Sequence, residues 1–278
     1  MAKIRAIDVQ VQPRVAELAK AYSDNGPFCK YDRLYKLSNR LIPIGIEELV
    51  AEMTKSGIEK GVIFGVDHET TCGYKIDNTL IGAFVREFPD TLIGFAGCDP
   101  YKGTKALKDL ENAVNNLGLR GIGITSFLDR LHPNDKKYFP IYKLAQELQI
   151  PVNIHSSVNF DSTSVMELAH PKYIDEVAVR FPDLRIIIRH AGWPWVLEAI
   201  AVAWRHENVY LDTSAISPKY LHNDLLRYMD SVLQDKVLFG TSYPLIAFDK
   251  AIDDFMSLPI KETTKEKVLY LNAKRLLN

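Results

Sequence analysis

Two histidines stand where short apolar runs end. His155 closes Pro151-Val152-Asn153-Ile154, and His190 follows Ile186-Ile187-Ile188-Arg189. Imidazole titrates near neutrality, so such a pair can accept, hold and return a proton. Carboxylates occupy comparable places, Asp8 in the first apolar run and Asp212 after Val209-Tyr210-Leu211. Either can orient an imidazole or take a proton, and Asp212 can equally cap the turn that follows it. Gln10 and Gln12 share one side of their strand by its two-residue period, so their amides can bond a ligand or each other. Ser242 and Tyr243 add two hydroxyls after residues 237–241. These types suit acid–base work on a small molecule held by hydrogen bonds.

The elements that must position these residues are legible as a repeat. Apolar, β-branched runs recur at residues 4–11, 61–66, 92–98, 121–125, 152–155, 184–189, 209–212 and 237–241. Several are apolar on both alternations, which suits parallel strands covered on both faces. Helical patterns lie between them. Ile46, Leu49, Val50 and Met53 follow the spacing of one helix face, with Gly57 as the stop. Leu107, Leu110, Val114 and Leu117 repeat that pattern before Gly118, and Ile141, Leu144, Ala145 and Leu148 make a third. Ser217-Pro218 reads as an N-cap with proline at the first helical position.

Eight strands, each followed by a helix, predict an α/β fold, a (β/α)8 TIM barrel spanning residues 1–278 as one domain. A doubly wound sheet is the alternative, but its glycine-rich first turn is missing. Residues 14–43 are too long for a bare loop and carry Tyr22, Tyr31, Arg33 and Arg40. An insertion of that length after the first barrel strand is expected to act as a lid over the catalytic face. On this fold the polar groups above collect at the carboxyl ends of the strands, where barrel chemistry sits. Arg189, one residue before His190, is expected to face away from the interior. His68, His132, His170, His206 and His222 are expected at the surface, and Cys98 in the packing.

Composition narrows the partners. Of 278 residues 47% are hydrophobic, enough for a large core and too many for a disordered chain. Lys and Arg number 34 against 35 Asp and Glu, so no bulk positive field draws nucleic acid or a membrane surface. No apolar run approaches the ~18 residues of a membrane span. Three widely spaced cysteines, Cys29, Cys72 and Cys98, fit reduced thiols and a cytoplasmic protein. The expected partner is a small-molecule substrate. Trp193-Pro194-Trp195 can either cover the pocket or serve a homodimer interface.

A set of segments in one order carries a family resemblance. They are Ile7-Asp8-Val9-Gln10-Val11-Gln12, residues 88–96 followed by Asp99-Pro100, Leu119-Arg120-Gly121-Ile122, residues 151–155, residues 181–192, residues 208–214, and residues 238–244. Together they resemble the amidohydrolase-2 group of metal-dependent hydrolases, which holds resorcylate-type and aminocarboxymuconate-semialdehyde decarboxylases and dicarboxylate lactonases. The resemblance implies a TIM barrel and a hydrolase or carboxy-lyase. It also implies zinc or manganese, bound by two first-strand histidines, the fifth- and sixth-strand histidines and an eighth-strand aspartate. Here the first two are Gln10 and Gln12, and the aspartate is Ser242. Neutral amide and hydroxyl oxygens are weak donors, and two imidazoles without an anionic ligand hold a divalent ion poorly.

The expectation is therefore an enzyme without a tightly bound metal, using His155, His190, Asp8 and Asp212 for acid–base catalysis. Gln10, Gln12, Ser242, Tyr243, Arg33 and Arg40 are expected to bind a small cyclic or carboxylated substrate. Two alternatives stand beside it. One is an inactive barrel that binds a ligand or partner, and the other keeps a weak Zn or Mn site on His155, His190 and a carboxylate such as Asp8.

Overall fold

A computed structural model describes residues 4–23, 26–35, 37, 40–161 and 163–277. Eight parallel strands form the sheet: β1 (Ala6–Val11), β2 (Ile58–Phe64), β3 (Leu92–Gly97), β4 (Ile122–Ile124), β5 (Val152–His155), β6 (Ile186–Arg189), β7 (Val209–Asp212) and β8 (Val237–Leu238). They neighbour one another in that order. The last edge meets the first through Val9 N to Phe239 O at 3.0 Å and Ser242 N to Gln10 O at 2.8 Å, so the barrel is nearly closed. This is a (β/α)8 TIM barrel, as the strand count predicted.

Two apolar layers hold it. Inside, Ile7, Val9, Val62, Phe95, Ile187 and Leu238 pack together, and Tyr270, Ala273, Leu276 and Leu277 from the C-terminal helices join them. That packing plugs the end opposite the carboxyl ends of the strands. Outside, the helices present the predicted faces. Ile46, Leu49 and Met53 of the helix Ile46–Lys55 are buried, and Gly57 at φ +81° turns the chain into β2. Of the second predicted face, Leu110 is buried and Leu107, Val114 and Leu117 are half-buried against the same layer. One helix start differs from the expectation. Pro218–Tyr220 is only a 3-10 turn, and Ser217 caps nothing because its hydroxyl donates to Asp254 at 2.5 Å.

Residues 14–43 form two short helices, Ala16–Tyr22 and Cys29–Tyr35. Between β2 and β3 the chain makes a small antiparallel hairpin, Val66–His68 with Tyr74–Ile76. Rings from both features meet: Phe28 lies 5.6 Å from Tyr74 and 5.8 Å from Tyr31, each edge to face. Tyr31 in turn meets Phe160 at 4.7 Å. Edge-to-face contacts of this kind add to the burial of the rings themselves.

Candidate active site

A cavity of about 510 Å³ opens at the carboxyl ends of the strands, with more apolar than polar wall. Its polar wall carries Gln10, Gln12, His155, Arg189, His190 and Ser242. Phe28 and Tyr31 from residues 14–43 cover one side.

Each polar group arrives by a local device. Gln10 extends from β1 and Gln12 follows that strand. His155 ends β5, where the edge of Phe127 meets its ring at 4.7 Å. His190 lies beyond the end of β6 at φ +60°, in the left-handed region. Its amide donates to Asp212 at 2.9 Å, and its Nδ1 lies 2.7 Å from the Ser214 hydroxyl. The His155 and His190 rings stand 5.0 Å apart, edge to face. Ser242 also adopts a positive φ, +55°, which turns its short side chain into the cavity.

Arg189 differs from its expected direction. Ile187 faces the barrel interior, so the two-residue period carries Arg189 inward as well. The expectation took its phase from His190, but that residue sits after the strand, where the backbone reverses. Arg189 is 7% exposed, and its Nε donates to the Asn153 side chain at 2.6 Å. The guanidinium lies 5.0 Å over the Phe64 ring. Gly123 makes room for this stack, since a Cβ there would stand 2.8 Å from Phe64. Among the described residues no carboxylate lies within 4.0 Å of Arg189.

Protonation follows from this charge. Burial, reinforced by neighbouring Arg189, lowers His190 to about 3. Burial, then His190 and Arg189, hold His155 well below its ordinary value. Both are neutral imidazoles at pH 7. Burial lowers Arg189 only to about 10, so it keeps its charge.

The remaining predicted residues lie elsewhere. Asp8 and Asp212 are fully buried but do not line the cavity. Asp8 accepts from the Thr241 hydroxyl at 2.6 Å and from the amides of Gln10 and Thr241. Its pKa rises to about 7 because burial outweighs those bonds. Tyr243 stacks on Phe248 at 4.3 Å and turns its hydroxyl to Glu52 and Arg14, away from the cavity. Arg33 and Arg40 are exposed, and Arg40 donates to the Leu245 carbonyl at 3.2 Å. His68 corrects another expectation: it is 3% exposed, lines the cavity, and its Nδ1 lies 2.6 Å from Asp129. No local pattern pairs residues so far apart in sequence. Trp193 lines the cavity too, whereas Trp195 packs on His170.

The pattern shared by the Amidohydrolase family matches residues 47–278. The chain belongs to the amidohydrolase family. Among its relatives, the gamma-resorcylate decarboxylase of Polaromonas sp. is 22% identical over 88% of either chain. An uncharacterised TIM-barrel protein of Bordetella bronchiseptica is 27% identical, covers 99% of this chain and 98% of its own, and superposes with a TM-score of 0.83. A dihydroxybenzoic acid decarboxylase of Polaromonas sp., solved with manganese and the inhibitor 2-nitroresorcinol, is 21% identical with a TM-score of 0.73, covering 99% and 97%.

The donors of this amidohydrolase do not fit a divalent ion. Among the described residues no group of three or more His, Cys, Asp or Glu is placed to hold one. Gln10, Gln12 and Ser242 offer neutral oxygens, and Asp8 is committed to Thr241 and the Gln10 amide. What the wall does offer is unspent hydrogen bonding. Gln10 Oε1, His155 Nδ1 and Ser242 Oγ are buried and have no hydrogen-bond partner among the described residues. Orphaned polar atoms are rare in folded proteins and mark a place where a ligand or ordered water completes them.

Proposed function

We propose that this amidohydrolase is a carboxy-lyase that removes carboxylate from a small aromatic acid, holding the anion on Arg189 instead of a metal. The observation that carries this reading is the buried guanidinium with no carboxylate within 4.0 Å among the described residues, Asp212 acting on it only from farther off. A buried charge without a directly paired counter-ion is costly, and an arriving carboxylate supplies one in the two-pronged geometry a guanidinium favours. The aromatic wall suits a flat ring. The named activities of the decarboxylase relatives agree with both features.

Each residue then has a task. Arg189 binds and orients the carboxylate. Gln10 Oε1 and Ser242 Oγ accept from, or bond to, a ring hydroxyl. His155 and His190 begin neutral and can take the proton of that hydroxyl. The bound anion also offsets the Arg189 charge that helps to keep them neutral, so a proton rests on either imidazole more readily with substrate than without. Residues 14–43 serve as the lid that keeps water from this exchange. Asp212 sets the His190 backbone, which makes it a positioning residue. The cytoplasm is the compartment that fits the free thiols.

The test is turnover of hydroxybenzoates, 2,6-dihydroxybenzoate first, followed by phenol formation and CO2 release in wild type and Arg189→Gln. Release by wild type, lost in the variant, is expected. Binding with no conversion of any acid would instead favour the inactive-barrel reading, and failure to bind any carboxylate would end both.

A further inference from the structure

Decarboxylation consumes a proton at the carbon that loses its carboxylate, and the groups nearest Arg189 are poorly suited to give one. Both His155 and His190 are kept neutral by burial and by the guanidinium. A third imidazole lines the same cavity and stands beside a carboxylate instead of a guanidinium. His68 ends the first strand of the Val66–Tyr74 hairpin region and is 3% exposed, and its Nδ1 lies 2.6 Å from Asp129 Oδ1. Asp129 is 1% exposed, and among the described residues His68 is its only ion-pair partner. Its other oxygen accepts from the Tyr138 hydroxyl at 2.6 Å. Burial, then Asp129, holds the Tyr138 phenol far above its ordinary pKa, so it stays a donor and adds no charge.

The dyad and the histidines of the site are tied to one element. Asp129 is the last residue of the short helix Ser126–Asp129, and Phe127 of that helix packs on His155. Phe64, under the Arg189 guanidinium, precedes His68 by four residues on the other side of the cavity. Arg189, the two neutral imidazoles and the Asp-held imidazole thus line one cavity.

We propose that His68, oriented by Asp129, is the proton donor of this cavity and protonates the ring carbon that bears the departing carboxylate. The inference rests on the carboxy-lyase reading above. Asp129 holds a proton on Nδ1 and offsets the positive charge when Nε2 takes up a second, the same division of labour as in a hydrolase triad. In the step, the Nε2–H bond breaks as a C–H bond forms. The bond from ring to carboxylate then breaks, its electron pair restores the aromatic ring, and CO2 leaves. Nε2 is reprotonated from water, so one aromatic carboxylate and one proton become one arene and one CO2.

The test uses the intact protein with 2,6-dihydroxybenzoate, comparing wild type, His68→Gln, Asp129→Asn and Arg189→Gln. Calorimetry gives binding, product formation gives kcat, and turnover in D2O gives the solvent isotope effect. His68→Gln is expected to bind within about threefold of wild type while kcat falls about 10²- to 10⁴-fold, the range typical of a lost general acid. Asp129→Asn should keep binding and lose about tenfold or more in kcat, since an amide cannot offset the imidazolium charge. The solvent isotope effect on kcat should be normal in wild type and altered in His68→Gln, a change that loss of a merely structural pair would not produce. Turnover by His68→Gln within tenfold of wild type overturns the role of His68 and leaves the carboxy-lyase reading standing. Tight binding without turnover by wild type, or binding that ignores Arg189→Gln, overturns both. Should His68→Gln not fold, a crystal structure of wild type with the probe decides: Nε2 within about 3.2 Å of the ligand supports the proposal, and Nε2 turned from it overturns it.

Discussion

Two sets of buried polar groups lie within a few residues of each other and are treated in opposite ways. Asp8 and Asp212, set back from the cavity wall, are saturated: Asp212 alone accepts from the His190 amide and from the Ser214 amide and hydroxyl. On the wall itself, Gln10 Oε1, His155 Nδ1 and Ser242 Oγ are just as buried and accept nothing. Arg189 has a similar character: its direct partner is the neutral Asn153, and Asp212 acts on its charge only from beyond 4.0 Å. The saturated set fixes the ends of the strands. The unsaturated set leaves its bonding unspent towards the cavity. Closure of hydrogen bonds therefore separates scaffold from cavity wall more sharply than burial does.

The saturated set is expected to give its largest effect at Asp212. Replacing it with alanine strands the His190 and Ser214 amides and moves a counter-charge away from Arg189. A loss of about 4 kcal/mol is expected by denaturant unfolding. A loss under about 1 kcal/mol would mean that the saturated set carries little.

Acid sensitivity is the next effect in size. The folded pKa of His190, about 3, is below its unfolded value of 6.5, so its contribution is present above 6.5 and is lost as pH falls towards 3. Asp8 acts oppositely. Its folded value of about 7 exceeds 3.8, so its contribution is present below 3.8 and is lost as pH rises through 7. In His190→Gln the His190 slope is gone, while the slopes of His155 and Asp8 remain. Relative to wild type the variant should gain up to about 1.4 kcal/mol for each unit of acidification from about pH 6 to about pH 4, read from unfolding curves. A constant difference would place His190 in a more solvated setting.

Tyr243→Phe removes the bonds to Glu52 and Arg14 at the rim and is expected to cost about 1 kcal/mol, with ligand affinity unchanged. Ser242→Ala should be smaller still in stability, within about 0.5 kcal/mol, because the hydroxyl has no partner to lose. It should nevertheless weaken ligand binding. That split between melting temperature and affinity is the mark of the unsaturated set.

Much of this arrangement is legible in the sequence. The strand repeat implies the barrel, and Gln10, Gln12 and Ser242 mark a wall that differs from the metal-binding pattern of the family. Other parts are hidden for definite reasons. Ile186-Ile187-Ile188 is apolar on both alternations, so it gives no phase for Arg189. His190 and Ser242 owe their direction to positive φ values that no period expresses. His68 and Asp129 meet only through tertiary packing, and Tyr243 shows its hydroxyl to Glu52 from a distant helix.

In the proposed function Arg189, and no divalent ion, holds the anion. Calorimetry of 2,6-dihydroxybenzoate with protein kept in chelator tests it directly, in wild type and Arg189→Gln and then with manganese restored. Wild type is predicted to bind in chelator, and the variant to bind about a hundredfold more weakly, with manganese changing neither. Binding that appears only when manganese is added, or equal affinity in the two proteins, would contradict it.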